Sequence, residues 1–143
     1  MASAAPAIVK QAETLLVEIE RAVHRFSRSH KYPYGMELRA LAMKVAKLAH
    51  RAWRDRAHQM MWIEKLNWAI DDLKLSLQLG CKVRAFQSFA VFEELARLAA
   101  DLGRQIGGWH RKQHPKSQND RRTALDQRAQ TLSSRAASAE ARS

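Results

Sequence analysis

Cysteine is almost absent. Cys81 is the only one in 143 residues, which excludes an internal disulfide and any multi-cysteine zinc site and is consistent with a reducing cytoplasm. Proline and glycine are nearly as scarce, at three and five, so long stretches contain no breaker and each Pro or Gly marks a place. No run approaches the ~18 to 20 apolar residues of a membrane span. The opening MASAAPAIVK lacks a basic segment followed by a long apolar core, so a soluble, cytoplasmic chain with no membrane partner is expected. Strand-like alternation is missing throughout. Acidic residues are the last shortage: 14 Asp and Glu stand against 25 Lys and Arg, leaving a net charge of +11. That balance calls for an anionic partner. Nucleic acid is the commonest, with an acidic protein surface or anionic lipid behind it, because charge supplies steering and affinity but no identity.

The chain is long enough for one core and not two. Four segments repeat the three- and four-residue spacing that lines one side of a helix. The first stripe is Val9, Ala12, Leu16, Ile19, Val23 and Phe26, and the second is Leu38, Leu41, Val45, Leu48 and Ala52. The third is Ile63, Leu66, Ile70, Leu73 and Leu77, which Gly80 closes as a natural C-terminal cap. The fourth is Phe92, Leu95, Ala99, Leu102, Ile106 and Trp109. Helices of matched length with short connectors predict an all-α fold, an antiparallel four-helix bundle. AHQMMW, near residues 58 to 61, has neither Gly nor Pro, so the second and third helices could also form one continuous rod. Gly103 and Gly107 lie four apart on one helical face, and their cost to the helix points to close backbone approach of a neighbour, with fraying of the last turn as the alternative. The organisation expected is an N-terminal extension over 1–7, a bundle over 8–112 and a tail over 113–143. Beyond Trp109 there are eight Lys and Arg against three Asp and Glu and few large apolar residues. Such a composition reads as disordered or transiently helical.

Nothing in the sequence assembles a catalytic apparatus or calls for a cofactor. His110 and His114 have the i, i+4 spacing of a zinc-binding helix, but Pro115 follows at once and no third ligand is evident. Gly-rich phosphate loops and Gly-x-Ser-x-Gly elbows are absent. Asp71–Asp72 and Glu93–Glu94 are adjacent pairs, whose side chains splay about 100° apart on a helix. A non-catalytic protein is expected.

Two surfaces stand out instead. Lys44, Lys47, Arg51, Arg54 and His58 recur at three- and four-residue intervals opposite the second apolar stripe, a nearly pure positive face suited to phosphate. The flanking Arg28, His30 and Lys31 are expected to extend it. The third segment carries Met61, Trp68, Leu75 and Leu79 nearly opposite Ile63 and Ile70. A helix apolar on two sides needs two partners, and the second is expected to be another subunit in a cyclic oligomer, the alternative being a helix placed centrally in the bundle and buried all round.

Two short motifs then become legible together. RSHKYPYGMEL, residues 28 to 38, resembles the K/R-S-H-K/R-Y-x-x-G-x-x-L signature of a four-helix-bundle family. That family includes Avd, the accessory variability determinant of diversity-generating retroelements, and the wider group takes in proteins encoded by intervening sequences in 23S ribosomal RNA. LGRQIGGWHRK, residues 102 to 112, is similar to the family's closing motif. Arg28, Ser29, His30, Lys31, Tyr32 and Gly35 match the first, and Gly103, Gly107 and Trp109 match the second. Pro33 and Tyr34 occupy variable positions, and the long Ala/Ser/Arg tail lies outside the shared pattern. The resemblance implies a homopentameric barrel with a basic surface that binds reverse transcriptase and template RNA, and DNA as a further ligand, without an active site of its own. Arg104, Arg111 and Lys112, in and beside the closing motif, join the candidate binding set. In the first motif, Gly35 is expected to supply a positive φ, Pro33 to stiffen the turn and Tyr32 to pack on the bundle end. Arg28, His30 and Lys31 would then project at one rim, where several copies make a ring of positive charge. The alternatives are an oligomeric adaptor for an acidic protein, or a bundle encoded by a ribosomal intervening sequence.

Overall fold

The computed structural model describes residues 6–141, and the side chains among them of residues 6–113, 128 and 130–132. The elements in order are α1 (Ala7–His24), α2 (Arg28–Lys31), α3 (Pro33–Arg54), a 3-10 turn (Arg56–His58), α4 (Gln59–Lys82) and α5 (Phe89–Ala141). Among the described residues there is no strand, and the fold is all-α. No helix among them is long and apolar enough to cross a membrane. The chain divides into two compact units, Met1–His110 and Arg111–Ser143.

The first unit is held by one apolar cluster. Ile19 from α1, Leu38 from α3, Ile70 and Leu73 from α4, and Leu102 and Ile106 from α5 are each sealed from solvent. Burying a side chain of this size is worth about 1.5 to 3 kcal/mol, so this seam supplies most of the drive to fold. The α4 stripe lies in the core at every predicted position. On α1 it is Leu15 that is buried while Leu16 is half-exposed, and on α3 Ala42, Ala46 and Ala49 are buried while Leu41 is partly open. Alanines along α3 let the neighbouring helices approach where a larger side chain would hold them apart.

Several local expectations are corrected. Pro33, Tyr34 and Gly35 are not a loop but the first turn of α3, with proline at the position where its missing N–H costs nothing. Gly35 has no positive φ; it is buried, and a Cβ there would meet Val23 Cγ1 at 2.8 Å. Tyr32 is largely exposed, and the tyrosine that packs is Tyr34. Its ring stacks on Phe26 at 5.7 Å and meets Phe86 edge-on at 6.2 Å, while its hydroxyl donates to the Ser76 carbonyl at 2.8 Å. Burial pushes that hydroxyl up to about 12. Gly103 is approached by the Lys74 ammonium end and an Ile70 methylene, side chains rather than the backbone expected.

Helices α3 and α4 are not one rod. Asp55 leaves helical geometry at φ −95°, ψ 81°, and its carboxylate accepts from Trp62 Nε1 at 2.9 Å and from His58 at 3.1 Å. Gln59 Nε2 donates back to the Ala52 carbonyl at 2.9 Å. The corner is therefore built from side-chain hydrogen bonds, which do what glycine or proline does in most connectors.

Gly80 is not the cap of α4. The helix continues to Lys82, and Arg84 N–H to the Cys81 carbonyl at 3.1 Å and Ala85 N–H to the Gly80 carbonyl at 2.9 Å make the two bonds of a Schellman ending. The left-handed residue it requires is Arg84, at φ 58°. An exposed arginine gains nothing there that offsets its Cβ strain. Arg84→Gly is expected to raise stability by about 0.5 to 1 kcal/mol, seen as a higher urea midpoint at unchanged m-value; a lower midpoint would show that Arg84 makes a stabilising contact instead.

In the second unit, the backbone of the segment read from composition as a loose tail lies within the span of α5, which runs to Ala141. Most of its side chains, including that of His114, lie outside those described.

Candidate nucleic-acid interface

Helix α3 turns its apolar side inward through Leu38, Ala42, Val45, Ala49 and Ala52. The 3.6-residue repeat then brings Lys44, Lys47, Arg51 and Arg54 to the opposite side, and all four are exposed. None of the four forms an ion pair among the described residues, whereas Arg21, Arg39, Lys74, Arg97 and Arg104 each face a carboxylate. The basic charge of this face is thus not spent on any carboxylate among the described residues.

The rest of the predicted basic set is not gathered with it. Arg28, His30 and Lys31 form the short α2, before the start of α3. Arg54 is at the far end of that 22-residue helix, about 33 Å away at 1.5 Å per residue. The α2 group lies off the start of α3, with Lys44 the nearest member of the face. His58, the expected end of the stripe, turns onto Asp55, and His50 pairs with Glu13 of α1 at 2.8 Å. Arg104 is paired with Asp101 on its own helix. Arg111 and Lys112 are exposed and open the second unit.

Aromatic rings lie under the cations at the α3–α4 corner, a feature the sequence reading missed. The Arg51 guanidinium sits 5.3 Å from the centre of the Trp62 ring, and Lys65 Nζ lies 5.1 Å from the same ring. Arg54 covers Trp53 at 4.8 Å. Both indoles are half-buried and pack against the core, so they form a fixed floor. Asp55, the carboxylate nearest in sequence, is held below the usual carboxylate range by the hydrogen bonds from Trp62 and His58. The only signal in the sequence was that Trp53 stands between Arg51 and Arg54, and the period of neither helix joins Trp62 to Arg51 across the connector.

Met61, Trp68, Leu75 and Leu79 all open to solvent on α4, Trp68 by 73%. Val83, 53% exposed, follows just beyond that helix. The structure therefore presents a line of large apolar side chains where the sequence predicted an interface.

A cleft of about 360 Å³ between α1 and the start of α5 is lined by Glu18, Arg21, Arg25 and Glu94 over Ala22 and Leu95. It mixes both charge signs, with Glu18 paired to Arg21 and Glu94 to Arg97, and so offers an anion little net attraction. Among the described residues, no three His, Cys, Asp or Glu side chains gather where they could hold a metal ion.

No family model matches the chain, and no curated protein matches it.

Proposed function

We propose that this protein is a non-catalytic, nucleic-acid-binding subunit whose α3 face of Lys44, Lys47, Arg51 and Arg54 contacts phosphates. The observation that carries the reading is that, among the described residues, no carboxylate pairs with those four exposed cations, in a chain of net charge +11. Contacts of this kind fix position on the backbone and carry little sequence information. The resemblance of residues 28–38 and 102–112 to the retroelement accessory family narrows the reading. On it, the chain associates with a reverse transcriptase and its template RNA, also binds DNA, and supports mutagenic cDNA synthesis by holding enzyme and RNA in productive geometry. Its work is then in the cytoplasm.

The same proposal makes the protomer an antiparallel four-helix bundle and the assembly a cyclic homo-oligomer, a pentamer by the resemblance. Support for self-association is the exposed line of Met61, Trp68, Leu75 and Leu79, since a monomer gains nothing from holding such a row in water. Trp68→Glu is expected to convert the assembly to monomers in sedimentation velocity while leaving helix content by circular dichroism unchanged. An assembly of undiminished size would place the subunit contact elsewhere.

The functional reading is tested by co-purifying the intact chain with a diversity-generating retroelement's reverse transcriptase and its template RNA, with and without nuclease. Retention of both partners, with RNA lost from the α3-neutralised variant, supports it. Capture of an acidic protein with no RNA would favour an adaptor.

A further inference from the structure

Where α3 meets α4, two arginines rest on two tryptophans. A guanidinium held over an indole at this distance leaves N–H donors available to a ligand, and phosphate is the ligand whose oxygens match the guanidinium fork in pairs. We propose that this corner is a pre-organised phosphate clamp for a nucleic-acid strand, in which Trp62 positions Arg51 and Trp53 positions Arg54. Lys65, on the Trp62 ring, supplies a third cation from the facing helix. The inference rests on the nucleic-acid reading above and deepens it, by singling out one part of a long basic face and giving the indoles a role.

Three observations carry it. The cations come from two helices rather than one, with ring distances of 4.8 to 5.3 Å. The rings themselves cannot swing, because both pack on the core and Trp62 is further tied by its N–H to Asp55 at 2.9 Å. And Asp55 turns its carboxylate to Trp62 and His58 and forms no ion pair with either arginine. Glu64 beside Lys65 is exposed and forms no ion pair among the described residues, and it is the remaining negative charge on this stretch. Lys44 and Lys47, by contrast, are on the same helix without any ring beneath them. An arginine already fixed in one rotamer loses less freedom on binding than a lysine free in solvent, so the corner should bind phosphate more tightly per charge.

The test uses the intact chain and a fluorescein-labelled RNA hairpin, titrated by anisotropy across a salt series. Arg51→Lys and Arg54→Lys keep the charge and the fold but lose the planar fork. Each is expected to weaken binding by about two- to fivefold, because a lysine can still sit over the ring but reaches phosphate as a point charge in place of two parallel N–H donors, with the salt slope unchanged. Trp62→Leu and Trp53→Leu should do the same while altering no charge at all. The clamp is overturned if the Arg→Lys variants bind like the parent while Arg51→Gln weakens binding only as much as Lys47→Gln, for then charge alone matters and the wider reading stands. If the parent chain binds no RNA at any salt, the nucleic-acid reading fails and the clamp with it.

Discussion

A chain carrying Lys44→Gln, Lys47→Gln, Arg51→Gln and Arg54→Gln together is expected to bind structured RNA about 10²- to 10³-fold more weakly than its parent at low salt. Each phosphate contact contributes about one unit to the salt slope and on the order of 1 kcal/mol to binding. Four of them therefore account for a loss of this size and for a slope shallower by about 3 to 4. All four side chains are exposed, and the stability they carry is limited to the stacking of Arg51 and Arg54 on the indoles, about 0.5 to 1 kcal/mol each. The variant should remain helical. The comparison that gives the result meaning is a second variant, Arg28→Gln with His30→Gln and Lys31→Gln, at the other end of α3. If that patch is a separate surface, its loss leaves RNA affinity within a few-fold of the parent. Equal losses from both variants would mean that one ligand spans the whole length of the helix.

The largest effect on stability is expected from a single methyl group, at Gly80. A Cβ there would fall inside the van der Waals surface of the Tyr34 hydroxyl and ring. Tyr34 cannot simply turn away, because it is stacked on Phe26, met edge-on by Phe86 and hydrogen-bonded to Ser76. Overpacking of this kind costs about 1 to 3 kcal/mol, and losing the ring's place would add to it. Gly80→Ala should therefore lower stability by about 3 kcal/mol in urea unfolding. A double-mutant cycle with Tyr34→Ala distinguishes this cause from helix propensity, which would favour alanine. If the clash is the mechanism, the two losses do not add, since the tyrosine that Gly80→Ala displaces is already gone. A Gly80→Ala chain as stable as its parent would contradict the packing described. The same tyrosine sets a pH dependence. Because burial raises its folded-state value from 10.0 to about 12, its contribution is complete below pH 10 and falls away as pH rises toward 12.

The helices and their buried sides were legible because a repeat within one helix is a property of that helix alone. Ile63, Leu66, Ile70, Leu73 and Leu77 followed from spacing, and all are buried. The choice between Leu15 and Leu16 did not follow, because both lie near the same stripe and only the neighbouring helices decide which one turns in. Gly80 and Gly35 were read as backbone devices, cap and turn, since a sequence shows the missing side chain but not the ring or methyl that fills its place. The connector was undecidable for a related reason. It lacks the residues that usually break a helix, and its turn is made by Asp55, Trp62, His58 and Gln59 bonding across it.

The candidate site divides along the same line. Lys44, Lys47, Arg51 and Arg54 were found by period, as were the exposed apolar residues of α4. What the sequence could not give was which basic residues are already answered by acids of another helix. Asp101, three residues before Arg104, could be read as its partner from the helical period, but Glu20 on Arg39 and Glu13 on His50 join different helices and could not. The distance between Lys31 and Arg54 was also hidden, since a segment read as a loop proved to be the first turn of a long helix.

The account stands or falls on whether this chain binds nucleic acid through unpaired charge. The direct measurement is the affinity of the intact protein for a structured RNA across about 50 to 300 mM salt, plotted as log K against log salt. The account predicts binding that weakens with a slope of about −3 or steeper, the release expected from four phosphate contacts. Absence of binding, or an affinity that does not change with salt, would contradict it.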